Sequence, residues 1–365
     1  MNKKIVFVTN SLGFGGAEKM LTFVANELSK RGNDCIIINL NRFSTYVNEK
    51  TQNIYKNIKV INLENIKQNK NVYYIKKIIE VSKEFKADVL IGFTAFPNMY
   101  VRVASIFLRV PSIISERGDP TRTKGDNKIK TYISDKIINS SKGAVFQTPG
   151  ARDYYGKGLK KRGIVISNPI FINEELSNVD YQTKEIISIG RFDNEQKRYD
   201  VMINAFNIFY KSHPEYVLKL YGSGPDEKLI KELIEKNSLE KRILIMGVSK
   251  NPLKDLSKGG MFVISSDYEG ISNALLEAMA VGLPCISTDH TPGGGRFLIK
   301  DHENGLLVPI NDAVSLSKAM NEFANDKELA KRCGENAQKV LKRFEPNLII
   351  NMWDKYIEKV CEYND

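Results

Sequence analysis

The sequence predicts an α/β protein built on two open, mainly parallel sheets, and three observations lead there. Short runs of consecutive apolar residues alternate with segments of helical periodicity, the pattern of buried parallel strands and their covering helices. The alternation begins twice, near Lys4 and again near Ile186. With 365 residues and 42% hydrophobic content, the chain is long enough to bury two cores.

Taken in order, residues 4–9 read as a buried strand. Residues 13–16 form a glycine loop that opens a helix with Met20, Leu21, Val24 and Leu28 on its apolar face, and Gly32 closes that helix. Strands follow at 35–38, 89–91, 112–114 and 143–146. Asn168-Pro169 is a turn-like dipeptide near mid-chain. Beyond it the pattern restarts with strands at 186–189, 217–221, 243–246, 261–264 and 284–287, and with helices at 199–210 and 227–236. The last segment carries Leu348, Ile349, Met352, Trp353, Tyr356 and Ile357 at helical spacing and reads as a docking helix. The expected division is therefore 1–168, 169–345, and a closing helix in 346–365 that returns to the first domain.

Charge separates the halves. Residues 1–168 hold 29 Lys and Arg against 13 Asp and Glu, a net +16, whereas the remainder is net −5. The four cysteines, Cys35, Cys285, Cys333 and Cys361, have neither zinc-ligand spacing nor the density of a secreted disulfide framework, which fits a reducing compartment. The apolar run 5–8 is too short for a signal or spanning helix, so the expectation is a cytoplasmic protein whose membrane contact is peripheral.

The most informative segment is 267–284, which reads as strand end, loop, capped helix and stop. Ser272 or Asn273 can cap the helix, and Gly282 with Pro284 ends it. Free backbone N–H groups at such a start suit a phosphate. Glu277, one turn beyond Asn273 on the same face, can accept the two hydroxyls of a ribose. Glu269 would stand where a donor sugar emerges. A capped surface helix with two solvated glutamates would have the same local pattern.

Glu269 and Glu277, seven residues apart within Glu-Gly-Ile-Ser-Asn-Ala-Leu-Leu-Glu-Ala, resemble the paired-glutamate signature of retaining glycosyltransferases of family 4. Residues 11–19, with Gly13, Phe14, Gly15 and Gly16, resemble that family's first glycine loop. Ile189-Gly190-Arg191-Phe192 followed by Gln196-Lys197 resembles its diphosphate-binding arginine and lysine. Segments 221–225 and 304–309 are similar to its later landmarks, so the resemblance runs along nearly the whole chain in order.

The resemblance implies the GT-B fold: two facing Rossmann-like domains with an interdomain cleft, acceptor on the first, nucleotide sugar on the second, and no obligatory metal or other cofactor. It implies that Arg191 and Lys197 hold the diphosphate, Glu277 the ribose and Glu269 the transferred sugar. Gly247, Val248, Gly270, Ile271, Ser272 and Asn273 complete the donor site, and Gly15 and Gly16 let backbone approach phosphates and sugar. Glu269, Arg191 and Lys197 are the catalytic candidates. Uridine diphosphate is favoured over guanosine diphosphate.

One departure stands at Ser115-Glu116-Arg117, where many members have histidine after Ser-Glu. Glu116 and Arg117 are candidate acceptor or sugar contacts, and Arg117 serves equally well as a loop anchor. The run Thr291-Pro292-Gly293-Gly294-Gly295-Arg296 reads as a turn before the next helix, in preference to an anion nest.

Two first-half segments look basic and amphipathic. In 71–86, Val72, Ile75, Ile78, Ile79 and Phe85 lie near Lys76, Lys77, Lys83 and Lys86. In 122–142, Ile129, Tyr132, Ile133 and Ile137 lie among Arg122, Lys124, Lys128, Lys130, Lys136 and Lys142. They favour anionic headgroups at the inner face of the cell membrane. Ordinary domain helices with solvated lysines have the same pattern. No ribonucleoprotein motif, zinc finger or helix-turn-helix accompanies the charge, which argues against nucleic acid.

The expected activity is transfer of a sugar from a nucleotide sugar to a glycan or lipid diphosphate-linked acceptor in surface glycan biosynthesis. A sugar-nucleotide epimerase or phosphorylase on a similar fold, and a nucleotide or anionic-lipid binding module, are the alternatives.

Overall fold

The computed structural model describes residues 2–13, 15–40, 54–64, 69–122, 128–172 and 179–362, the side chains of 128–130 excepted. Phe14 and Lys124, and the side chains of Lys128, Ile129 and Lys130, lie outside the described residues. The chain divides into two compact units, Met1–Pro169 with Pro346–Asp365, and Ile170–Glu345.

The first unit holds β1 (Lys4–Thr9), β2 (Asp34–Asn39), β3 (Lys59–Asn62), β4 (Val89–Phe93), β5 (Ser112–Glu116), β6 (Gly143–Phe146) and β7 (Ile164–Val165). They form one sheet in the order β3-β2-β1-β4-β5-β6-β7, and every pair is parallel. Ile5, Val6, Phe7 and Val8 are all fully buried, which explains why β1 reads as an unbroken apolar run: helices cover both faces of a parallel sheet. The closing helix, Pro346–Glu362, packs in this unit. Its Trp353 is fully buried and stacks on Phe93, with ring centroids 5.8 Å apart. Its Tyr356 hydroxyl accepts from Ala144 N at 2.8 Å and donates to Arg162 O at 2.6 Å.

The second unit holds β8 (Glu185–Ile189), β9 (Val217–Tyr221), β10 (Ile243–Gly247), β11 (Met261–Ile264), β12 (Cys285–Thr288) and β13 (Leu306–Val308). The order is β10-β9-β8-β11-β12-β13, again all parallel. Helices Tyr199–Tyr210 and Ala313–Asn325 bury Phe206, Phe209, Leu316, Met320 and Phe323 against it.

Each unit is thus a Rossmann-like α/β layer with a point where the strand order reverses, between β1 and β4 in the first and between β8 and β11 in the second. Open sheets of this kind bind ligands beyond the carboxyl ends of the strands at such a point. The sequence did not single out β3, β7 or β13 as strands. The first two are partly exposed edge strands of four and two residues. The third has three residues, inside the segment 304–309.

Candidate active site

In the second unit the loops that follow β8 and β11 meet at the reversal point. After β8 the chain runs through Gly190, Arg191 and Phe192 into a single helical turn, Asn194–Lys197, capped by the Asp193 carboxylate. After β11 it runs through Ser265 and Ser266 to Glu269 and then to helix Asn273–Val281. The two loops are stitched together by several bonds. Ser265 Oγ donates to Lys197 O at 2.7 Å and to Arg198 O at 2.9 Å. Asp267 N donates to Gln196 O at 2.9 Å, and Gln196 Nε2 to Tyr268 O at 3.1 Å. Arg198, in the left-handed region at φ 51°, pairs with both Asp200 and Asp267 at 2.9 Å.

This stitching sets Lys197 against Glu269. The Lys197 ammonium pairs with Glu269 Oε1, and Ser266 Oγ donates to the same oxygen at 2.6 Å. Glu269 is 8% exposed. Burial alone would push its carboxyl up, but Lys197, His290 and the hydrogen bond from Ser266 outweigh burial and hold it below the ordinary value. A carboxylate kept ionised accepts hydrogen bonds and stabilises positive charge; it does not act as a general acid.

A third loop completes the wall. Tyr268 and Thr291 form a parallel bridge, with Glu269 N donating to Thr291 O at 2.8 Å. A side chain at Gly294 would overlap the carbonyl oxygen of Gly270 and press on His290. Thr291–Arg296 is a turn into the helix Gly294–Leu298, as expected, but it is also zipped to the glutamate loop. Sequence reasoning missed His290. Its ring is fully buried, its Nδ1 is 3.4 Å from Thr291 O, and its Nε2 has no partner among the described residues. Burial lowers its pKa, and Glu269 only partly offsets that. Nothing in the sequence around His290 marks it, because its role comes from a long-range contact.

Most other donor candidates lie at strand ends and at the helix start of the same unit. Arg191 is exposed, and its guanidinium has no side-chain partner among the described residues. Ser272 caps helix Asn273–Val281, its Oγ accepting from Leu275 N at 3.4 Å. Gly270 and Ile271 are buried, while Asn273 and Glu277 are half-buried at the helix start and one turn on. Gly247 ends β10 at φ +73°, and Val248 after it is 68% exposed. The remaining candidates belong to the first unit. Gly15 is the N-cap residue of helix Gly16–Lys30, where a side chain would collide with the Glu18 carboxylate.

Glu116 and Arg117 lie inside the first unit. Glu116 accepts from Tyr155 Oη at 2.7 Å and from the backbone N of Arg117 and Gly118 at 3.0 and 3.3 Å. Burial raises its pKa in spite of those bonds. The Arg117 guanidinium sits 5.4 Å from the ring centroids of both Phe93 and Trp353. It donates to Ser115 Oγ at 2.7 Å and to Ile166 O at 3.3 Å, and its Nη2 has no partner among the described residues. Arg117 therefore bonds β5 to the β7 end and packs on the closing helix.

Residues 172–340 match the family described as glycosyl transferases group 1, and residues 14–174 match Glycosyltransferase Family 4. The two matches run on from one another along the chain. An uncharacterized glycosyltransferase of Haemophilus influenzae is 25% identical over 96% of this chain and 99% of its own. A Campylobacter jejuni protein named as a GalNAc-alpha-(1->4)-GalNAc-alpha-(1->3)-diNAcBac-PP-undecaprenol alpha-1,4-N-acetyl-D-galactosaminyltransferase is 27% identical over 98% of this chain and 99% of its own. The crystal structure of Anabaena HepE in complex with UDP and glucose superposes with a TM-score of 0.82, at 17% identity, over 98% of this chain and 100% of that one. The chain belongs to the glycosyltransferases of GT-B fold.

Proposed function

We propose that the protein is a retaining glycosyltransferase that moves a sugar from a UDP-sugar to a glycan or lipid diphosphate-linked acceptor in surface polysaccharide or glycoconjugate biosynthesis. The buried Lys197–Glu269 pair carries this reading: it puts a cation and a carboxylate held below its ordinary pKa together at the reversal point of the second sheet. The UDP in the HepE complex and the undecaprenol-linked substrate in the Campylobacter protein's name support the donor and acceptor classes.

Breaking an anomeric bond to a nucleoside diphosphate leaves negative charge on the departing phosphates and positive charge on the sugar. Arg191, Lys197 and the N-terminus of helix Asn273–Val281 meet the first charge without needing a metal. Glu269 accepts hydroxyls of the transferred sugar and faces the second, while Glu277 takes the ribose. Gly15 and Gly16 admit the phosphates and sugar, with Gly247, Val248, Gly270, Ile271 and Asn273 around the nucleotide.

The first unit with its closing helix has net charge +14, and Phe107 and Tyr132 are 71% and 63% exposed on its surface. No helix among the described residues is long and apolar enough to cross a membrane. We read this surface as a peripheral contact with the anionic inner face of the membrane, which a lipid-linked acceptor requires.

Thermal shift with UDP, GDP and ADP, followed by proton NMR of the product formed from the donor that binds, tests the proposal. UDP should raise the melting temperature most, and the new linkage should keep the donor's anomeric configuration. An inverted linkage would end the retaining reading, and a preference for GDP the uridine one.

A further inference from the structure

Arg198 follows Lys197 directly, and four hydrogen bonds run from its guanidinium. Nε and Nη2 donate to the two carboxylate oxygens of Asp200 at 3.0 and 2.9 Å. Nη1 donates to Asp267 Oδ2 at 2.9 Å, and Nη2 also to Asn311 Oδ1 at 2.7 Å. The three acceptors stand after three different strands: Asp200 after β8, Asp267 after β11 and Asn311 after β13.

The backbone at this residue is unusual as well. Arg198 is the one residue between the turn Asn194–Lys197 and helix Tyr199–Tyr210, and it stands at φ 51°, ψ 51°. L side chains adopt that conformation rarely, and it persists where the surrounding structure enforces it. Here the side chain's own bonds enforce it, and Ser265 Oγ ties down the carbonyls of both Lys197 and Arg198. The bend presents Lys197 to Glu269 and turns the chain at once into a helix whose Tyr199 is 1% exposed.

Two ionic rungs therefore span the same two loops. Lys197 pairs with Glu269, and one residue on, Arg198 pairs with Asp267, two residues before Glu269. The side chains are 15% and 8% exposed in the first rung and 20% and 17% in the second, so neither is screened as a surface pair is. They differ in what they can fix. A lysine is a point charge on a flexible four-carbon stem, whereas a planar guanidinium holds several acceptors in set directions. The second rung thus sets the register of the loops, and the first takes its geometry from it.

We propose that Arg198 is a positioning residue for the transfer step: by clamping Asp200, Asp267 and Asn311 it holds the Lys197 ammonium on Glu269. The link to transfer rests on the reading above; the positioning of Lys197 does not.

Arg198→Gly tests this on the full chain, because glycine accepts φ 51° without strain while all four bonds are lost. First, acetylation of each lysine by an N-hydroxysuccinimide ester is followed by peptide mass spectrometry. Lys197 should react about tenfold faster in Arg198→Gly than in the parent, the factor for loss of one charge-assisted contact. Asp267→Asn, a milder change that keeps the side chain's shape, should move it the same way. Lys228, 89% exposed on helix Glu227–Lys236, should react at an unchanged rate in both. Second, kcat for UDP release is measured in a double-mutant cycle with Lys197→Ala. Arg198→Gly should lower kcat about 10- to 10²-fold in the parent, and by less than about threefold once Lys197 is alanine. A merely structural role would lower it equally in both backgrounds. Unchanged acetylation of Lys197, or equal losses in the two backgrounds, would overturn the proposal. If the parent releases UDP from no UDP-sugar, the transferase reading ends, and the acetylation rates decide whether Arg198 positions Lys197.

Discussion

Glu269 is 8% exposed and still ionised, and the groups that keep it so are the ones that make the site testable. Glu269→Gln keeps the shape and removes the charge, and should lower the turnover number about 10²- to 10³-fold, as loss of a preorganised electrostatic contact does elsewhere. Lys197→Ala should do likewise, and Lys197→Arg should not restore activity, because a planar fork cannot replace a point charge packed beside Gly190. His290 gives the site its pH dependence. Its folded pKa lies below the ordinary histidine value of 6.5, so the unfolded chain binds the proton more readily and stability is lost as pH falls through that value. Glu269, also lowered, contributes stability that is lost further down, below the ordinary carboxylate value of 4.5. Melting curves from pH 7.5 to 4 should therefore decline in two steps, and His290→Asn should remove the first; an unchanged first step would place it elsewhere. The glutamates, Arg191 and Lys197 stand out in the sequence because each lies in a local pattern of glycine, strand end and helix start. His290, Ser266 and the Arg198–Asp267 pair do not, because only the folded chain brings their partners together.

At the scale of elements, the glutamate helix depends on its two ends. Ser272→Ala should cost about 1 kcal/mol as a lost N-cap. Gly282 stands at φ +95° against Gln338, so Gly282→Ala should cost at least as much, by denaturant midpoint in both cases. Gly294→Ala is a different case: it forces the Thr291 loop off Gly270, and should lower activity more than it lowers the melting temperature. The closing helix is fixed by Trp353, and Trp353→Ala should cost about 3–5 kcal/mol. The long elements were legible because apolar spacing repeats over ten or more residues, as in Tyr199–Tyr210 and Glu227–Lys236, whose bounds the sequence gives directly. The short edge strands β3 and β7 were not, since two to four half-exposed residues carry no period. The helix Lys70–Phe85 shows the cost of reading a face from lysines: Tyr74, Ile78 and Ser82 are buried in it, and Ile75, Ile79 and Phe85 pack on the core, so most of its apolar stripe serves the domain.

For the whole molecule, the two sheets were legible because the strand and helix alternation begins twice, and the charge asymmetry because it is a property of composition. The first unit's net +14 predicts adsorption to vesicles containing phosphatidylglycerol at low salt and release as salt rises past about 0.15 M, where the screening length falls to about 8 Å. Co-sedimentation checks this, and equal retention on neutral vesicles would remove the electrostatic reading. The central claim concerns the second unit, that Lys197 and Glu269 serve sugar transfer from UDP. The most direct test measures UDP release from a panel of UDP-sugars by the parent protein, Lys197→Ala and Glu269→Gln. The account predicts release by the parent from at least one donor and a fall of about 10²-fold or more in both variants. Release at the parent rate by either variant, with the fold intact, would contradict it.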